Sequence, residues 1–356
     1  MKMKKVLKVT LWTILGLIVA LGIYMWIVFG PFVKGAMSVE KLDDGLYYME
    51  YQGDDGFDGL MKSGGARNSE ELSAYIINFL TKGFYNPPAS RSDTTKYGCS
   101  TLTVRTVENG VLMGRNFDYP SATGVIIHTI PKKGYETITT FNVEFFGFGE
   151  GWLPEGFSNQ YIALSVLFCA LDGINEKGLA IADLMAGDKE ETHQDTGKPQ
   201  LTTTVAISYL LKNAATVDEA LELLKGIDMQ SDIETAHHLA ISDASGKSVV
   251  VEYVDNKMEV VNTPAVANHY LCEAKLNVGL IEGDNRYEQL CQLYDDSEGT
   301  MDFQHMKDAI SSVSQPQRGK DFLGTAWTMI MDLTNRSVTY YSRRNFDKPF
   351  HFKFGN

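Results

Sequence analysis

The chain has 356 residues, a net charge of −13 and 44% hydrophobic residues. With 22% charged residues it has an ordinary globular balance, which excludes a collagen-like, a disordered or a multi-pass membrane chain. No basic stripe is present, which excludes a nucleic-acid partner. Four cysteines without a Cys-x-x-Cys pair exclude a disulfide scaffold and a zinc ribbon.

Residues 9–33 (VTLWTILGLIVALGIYMWIVFGPFV) run 25 positions without a charge. A helix needs about 20 apolar residues to cross a bilayer core. Lys2, Lys4, Lys5 and Lys8 precede the run, so the positive-inside rule predicts a cytoplasmic N-terminus and a body outside the cell membrane. Tyr24 and Trp26 lie near the outer end, where amphipathic rings favour the interface. A cleaved signal peptide requires a shorter apolar core, about 7–15 residues, and a small-x-small site. The candidate Val28-Phe29-Gly30 is followed by Pro31, and no cysteine stands before Cys99 for a lipid anchor. The predicted partner of this segment is the lipid bilayer.

Residues 38–68 are mixed and glycine-rich and read as a stalk or a loosely packed segment. Leu72, Tyr75, Ile76, Phe79 and Leu80 then mark one face of a helix over 69–83, with Ser69 as N-cap and Gly83 as stop. NPPASRSDTTKYG (86–98) is a loop. From Cys99 the pattern turns to strands. Residues 100–107 and 111–117, joined at Asn109-Gly110, read as a hairpin. Residues 124–130 and 137–141 are further strands, 237–262 is a meander and 324–342 a last hairpin. Helices are predicted over 202–213 and 285–297, and after the capping box Thr216-Val217-Asp218-Glu219. Strands in runs with helices between them predict an α+β body of antiparallel sheets with helices on their outer faces.

The hairpin returns Arg115 and Asp118 to the level of Cys99. A neighbouring guanidinium stabilises a thiolate, and a carboxylate can orient an amine. Residue types alone leave a bland reading open, in which Cys99 is a small buried hydrophobe and Arg115 and Asp118 a surface ion pair. The stretch 141–157 (FNVEFFGFGEGWLPEGF) also has two readings. It is either the lining of an acyl pocket, with Phe145, Phe146, Phe148 and Trp152 and with Met185 beside it, or a core strand and its loop. His237-His238 opens a strand without a third ligand at metal spacing and reads as structural, so no metal is expected. Nothing in the pattern calls for a cofactor. Cys169, Cys272 and Cys291 are three further thiols; an odd number cannot all pair, and a Cys272–Cys291 bond is unsupported.

Cys99-Ser100-Thr101, Gly114-Arg115-Asn116-Phe117-Asp118, Asp172-Gly173-Ile174-Asn175-Glu176-Lys177-Gly178-Leu179, Asn268 and Asn285-Arg286-Tyr287 form one ordered set. In that order and separation, the chain from Tyr97 to the C-terminus resembles the choloylglycine hydrolase and penicillin V acylase family of N-terminal-nucleophile (Ntn) hydrolases. Its long N-terminal extension is similar to that of acid ceramidase and the isopenicillin N acyltransferases. The resemblance implies a four-layer αββα sandwich and hydrolysis of a linear, non-peptide C–N bond in an N-acyl amide. It implies Cys99 as nucleophile and, through its freed α-amine, as base. Arg115 would stabilise the thiolate, Asp118 hold the α-amine, Asn268 serve the oxyanion, and Arg286 order Asp118 and Cys99. It also implies autocatalytic cleavage between Gly98 and Cys99, for which glycine's tolerance of strained backbone is suited.

The implied organisation is a cytoplasmic tail (1–8), a transmembrane anchor (9–33), an extracytoplasmic linker or propeptide (34–98) and a catalytic domain (99–356). Met185 stands where relatives carry Asn or Tyr. It donates no hydrogen bond, which leaves a second oxyanion contact to a backbone N–H. An acyltransferase and an uncleaved binding protein of the same fold are the rival readings.

Overall fold

The computed structural model describes residues 2–84, 98–120, 122–148, 151–231, 235–316 and 324–355. The apolar run becomes one helix, Lys2–Met37, which is longer than the predicted span and contains Pro31. Side chains from Val6 to Ile27 stand exposed. The last turns do not. Phe32 and Ala36 are buried in the body, and Phe32 stacks on Tyr51 at 5.8 Å and meets Phe79 edge-on at 5.3 Å.

The stalk expected over 38–68 is corrected by the structure. Strand Leu46–Gly53 buries Leu46, Tyr47, Met49 and Tyr51 and pairs in parallel with Gly124–Pro131. Glu40–Asp43 pairs antiparallel on its outer edge. Glycines and acids around LYYMEYQG disguise a strand whose aromatic and apolar residues fit a half-buried pleat. Helix Ser69–Thr81 follows as predicted, but its cap is Asn68 and not Ser69: Asn68 Oδ1 accepts from the Glu71 N–H at 2.9 Å. Of the loop predicted over 86–98, residues up to Tyr97 lie outside the described residues.

Two large sheets form the body. In spatial order, the nine-stranded sheet runs Glu40–Asp43, Leu46–Gly53, Gly124–Pro131, Thr137–Asn142, Asp172–Asn175, Ala180–Met185, His237–Ser242, Ser248–Val254 and Lys257–Asn262. The six-stranded sheet runs Ala265–Val266, Gly98–Arg105, Val111–Asp118, Thr325–Asp332, Ser337–Ser342 and Pro349–Lys353. Both are antiparallel except for the parallel pair that brings in Leu46–Gly53. Their facing sides share the main core, which holds Phe117, Trp327 and Met329 from one sheet with Ile126, Ile138 and Ile174 from the other. Helix Thr203–Asn213 covers the nine-stranded sheet, with Val217–Lys225 beside it. Arg286–Asp296 and Phe303–Ser312 cover the six-stranded one. The result is the expected α+β, αββα sandwich, carrying an apolar N-terminal helix.

The predicted hairpin forms with Asn109 left-handed at φ 61°. Its register sets Gly98 opposite Asp118, Cys99 opposite Phe117 and Thr101 opposite Arg115.

Candidate active site

Opposed residues of an antiparallel pair share a face, and alternate residues along a strand share it too. Cys99, Phe117 and Arg115 therefore point together into the core between the sheets. Arg115 is fully buried. Its Nε donates to Asp172 Oδ2 at 3.2 Å, its Nη1 to the Asn116 carbonyl at 2.6 Å and its Nη2 to the Asp183 carbonyl at 2.8 Å. The same guanidinium favours the charged form of the Cys99 thiol. Asp172 is held in turn by the Trp327 indole N–H at 2.9 Å, and Trp327 stacks on Phe117 at 4.1 Å. Burial pushes the Cys99 thiol up to about 12, outweighing the opposing pull of Arg115. In the continuous chain the sulfur is thus a thiol at neutral pH, despite the neighbouring cation.

The Gly98–Cys99 peptide bond lies in a second network. The Cys99 N–H donates to Asn268 Oδ1 at 2.7 Å. Arg286 Nη1 donates to the Cys99 carbonyl at 2.9 Å and to Asp118 Oδ2 at 2.8 Å. Arg286 Nη2 donates to Asn268 Oδ1 at 2.9 Å and to Asp284 Oδ2 at 2.6 Å. Thr325 Oγ1 donates to Asp118 Oδ1 at 2.6 Å. Burial pushes the Asp118 carboxyl up, and Arg286 and Thr325 pull it back.

All five expected residues, Cys99, Arg115, Asp118, Asn268 and Arg286, therefore meet at one sheet end. One detail differs from expectation. The nitrogen that would become the α-amine is bonded to Asn268, while Asp118 is spoken for by Arg286 and Thr325. Gly98 is also explained differently. It lies in a strand outside the left-handed region, and a Cβ there would stand 3.3 Å from the Asp118 Cβ. Close approach, rather than backbone strain, favours glycine.

Asn268 is positioned by its loop. Its Nδ2 donates to the Met185 carbonyl at 2.9 Å. Next door, His238 bonds the Ala267 carbonyl through Nε2 at 2.9 Å and Glu252 through Nδ1 at 3.1 Å. Glu252 accepts the backbone N–H groups of Leu271 and Cys272 at 2.9 and 2.8 Å. Burial pushes the Glu252 carboxyl up, but His238 and the two N–H groups outweigh it and hold it below the usual range. His237 bonds Asp183 at 2.9 Å, so both histidines serve carboxylates. Among the described residues no cluster of His, Cys, Asp and Glu is arranged to hold a metal ion. Cys99, Cys169, Cys272 and Cys291 form no disulfide among the described residues.

The residues expected to line an acyl pocket separate. Phe145 meets Phe117 at 6.5 Å and Tyr119 at 5.2 Å, next to the site. Phe141, Phe146, Phe148 and Trp152 continue outward at 4.8, 5.4 and 4.6 Å between successive rings. Met185 enters through its carbonyl on Asn268. Asp172, Asp284, Thr325 and Trp327 were not singled out from the sequence as site residues. Asp284 had a signal, standing two positions before Arg286; Thr325 and Trp327 had none, since only the register with Val111–Asp118 brings them in.

Residues 99–269 match the model of the linear amide C–N hydrolases, choloylglycine hydrolase family. Penicillin V acylase of Pectobacterium atrosepticum is 38% identical over 100 residues, 25% of this chain and 26% of that protein. Bile salt hydrolase/transferase of Clostridium perfringens is 28% identical over 180 residues, 46% of this chain and 50% of that one. The matches thus span between a quarter and a half of those relatives. Among solved structures, a mutant of conjugated bile acid hydrolase from Clostridium perfringens superposes with a TM-score of 0.53 at 19% identity, covering 72% of this chain and 92% of the other. Penicillin V acylase from Agrobacterium tumefaciens gives 0.52 at 17% identity, covering 72% and 86%. Residues 99–269, just under half of the chain, thus resemble the linear amide C–N hydrolases of the choloylglycine hydrolase family, and the sandwich is the fold of those solved structures.

Proposed function

We propose that this chain is an Ntn cysteine amidase that hydrolyses N-acyl amides through an S-acyl-cysteine, after cutting itself between Gly98 and Cys99. The observation that carries this reading is the closure of Arg286 and Asn268 on the two sides of Cys99, at its carbonyl and its N–H. In the self-cut, the Cys99 sulfur adds to the Gly98 carbonyl carbon and the Cys99 nitrogen leaves with the thiol proton. Water then hydrolyses the thioester, giving a Gly98 carboxylate and a free Cys99 α-amine. An α-amine has a pKa of about 7.7–8.0, suited to taking a thiol proton near neutrality. In turnover the thiolate attacks the amide carbonyl and the α-ammonium returns the proton to the departing amine. Water, deprotonated by the same amine, then releases the acid.

Arg115 stabilises the thiolate once the chain opens. Asn268 Nδ2, with one N–H on Met185, carries a second for the oxyanion. Asn268 Oδ1 orients the nitrogen that becomes the α-amine, and Asp118 holds Arg286 against the Cys99 carbonyl. Exposure of the N-terminal helix up to Ile27 supports a single-pass anchor at residues 9–33, and Lys2, Lys4, Lys5 and Lys8 before it favour a body on the outer side of the cell membrane.

The test is intact mass and N-terminal sequencing of the full chain and of Cys99→Ala, with turnover of hexadecanoyl-glycine and penicillin V as amide substrates. A new N-terminus at Cys99 and product acid, both absent in Cys99→Ala, are expected. An uncut parent chain that turns over neither amide sinks the proposal.

A further inference from the structure

A cavity of about 290 Å³ lies between helix Ser69–Thr81, the stretch Phe146–Phe148 and helix Phe157–Ala163. That is near the lower end of ligand-cleft volumes. Its walls are Ile76, Ile77 and Leu80 on one side and Phe146, Phe148 and Ile162 on the other. Four hydroxyls border it, those of Ser73, Thr81, Tyr161 and Ser165, and the last three are turned onto backbone carbonyls. Thr81 Oγ1 donates to the Ile77 carbonyl at 2.7 Å, Tyr161 Oη to Leu80 at 2.9 Å and Ser165 Oγ to Ile162 at 2.8 Å. Hydroxyls satisfied in this way leave mainly C–H surface facing inward. A cavity lined mainly by C–H surface suits hydrocarbon better than a polar group.

Two connections give the cavity a direction. Inward, Phe148 and Phe146 lead through Phe141 and Phe145 to Phe117, the cross-strand partner of Cys99. Outward, Tyr161 lies 6.3 Å edge-on from Phe32, on the docked end of the apolar N-terminal helix.

We infer that this cavity is the binding site for the hydrocarbon tail of a long-chain N-acyl substrate, and that one of its walls is supplied by the segment preceding Cys99. The inference rests on the amidase reading above and adds to it a substrate class and a working role for helix Ser69–Thr81. Phe146 and Phe148 belong to it from the set expected by sequence; the opposite wall was not foreseen. The aromatic row places the tail's far end away from Cys99, so chain length is what the cavity measures. A short acyl group reaches Cys99 without entering it.

Two experiments test this on the full chain in lipid nanodiscs. First, hexadecanoyl-glycine carrying a terminal diazirine is photolysed on Cys99→Ala, which does not turn over, and the adducts are mapped by peptide mass. Adducts within 73–81, 146–148 or 161–165 are expected, and adducts confined to other segments overturn the inference. Second, kcat/KM is measured for hexadecanoyl- and butanoyl-glycine. Ser73→Trp and Ile162→Trp, which fill the cavity from opposite walls, should lower the long-to-short ratio at least about tenfold, the scale on which apolar pockets discriminate. An unchanged ratio in folded variants of both kinds overturns the inference. Because photolabelling needs no turnover, a parent chain that hydrolyses neither amide but labels the cavity refutes the amidase and leaves the hydrocarbon site standing.

Discussion

Around the Gly98–Cys99 bond, Arg286 divides one guanidinium among Cys99, Asp118, Asn268 and Asp284. Around the cavity beside Ser69–Thr81, the hydroxyls of Thr81, Tyr161 and Ser165 are taken up by backbone carbonyls. The first region fixes positions by directed bonds, each member holding another. The second offers volume and no directed bonds to what fills it. Such a division suits an amidase: the reacting bond must be placed to a fraction of an ångström, whereas a tail needs only to be out of water. It also implies that damage to the two regions looks different. Loss of a polar member should abolish chemistry or folding, and loss of an apolar one should change preference.

The largest effect is expected from Arg286→Ala, which leaves Asp118 and Asp284 in the interior without their cation. Breaking a buried pair in this way costs about 3–5 kcal/mol. Denaturant unfolding should register that loss, and intact mass should find no cut at Gly98. A cut protein of parental stability would erase the contrast between the two regions.

Next comes Asn268→Ala. Removal of one oxyanion donor lowers kcat about 10²–10³-fold, and steady-state kinetics should find KM nearly unchanged. A shift in KM alone would make Asn268 a binding residue.

Glu252→Gln is third. It weakens the clamp on the Asn268 loop and should cost about 1–3 kcal/mol at pH 7, the range for charged and unsatisfied buried hydrogen bonds. The sign follows from the lowered folded-state pKa of Glu252. Its stabilisation is complete above the unfolded value, near 4.5, and is lost as pH falls through the lower folded value. Urea titrations at pH 7 and pH 4 should therefore show the gap between parent and variant narrowing in acid. A constant gap would mean that the loop does not depend on the carboxylate's charge.

The smallest effect belongs to the apolar region. Phe148 is 39% exposed, so Phe148→Ala should alter stability by about 1 kcal/mol or less. It should shift the chain-length profile of turnover instead.

Much of the polar region was legible in the sequence, because a hairpin with an Asn-Gly turn has a countable register. That count alone brings Arg115 and Asp118 to Cys99. Asn268 and Arg286 were reached only through the family resemblance, since they arrive from 169 and 187 positions away. Thr325 and Trp327 required the neighbour of Val111–Asp118 to be known, and strand order is not written locally. The sandwich was legible for similar reasons, as turn residues punctuate its strands. The segment 38–68 was misread because its strands carry glycines and acids whose burial depends on a distant partner, Gly124–Pro131. The N-cap went to Asn68 because Ser69 and Asn68 are both good caps and only geometry chooses between them.

Strand Leu46–Gly53 bears on what a cut at Gly98 can achieve. It is hydrogen-bonded on both edges, to Glu40–Asp43 and to Gly124–Pro131. Asp55, just beyond it, forms a buried ion pair with Lys212 on helix Thr203–Asn213. One severed peptide bond removes none of these contacts. The two pieces would be a non-covalent heterodimer, inseparable by salt or dilution and released from each other only when the sheet itself unfolds. Under the proposed reading, maturation by such a cut would change covalent connectivity without shedding, and an anchored enzyme would stay at the membrane that holds its N-terminal helix.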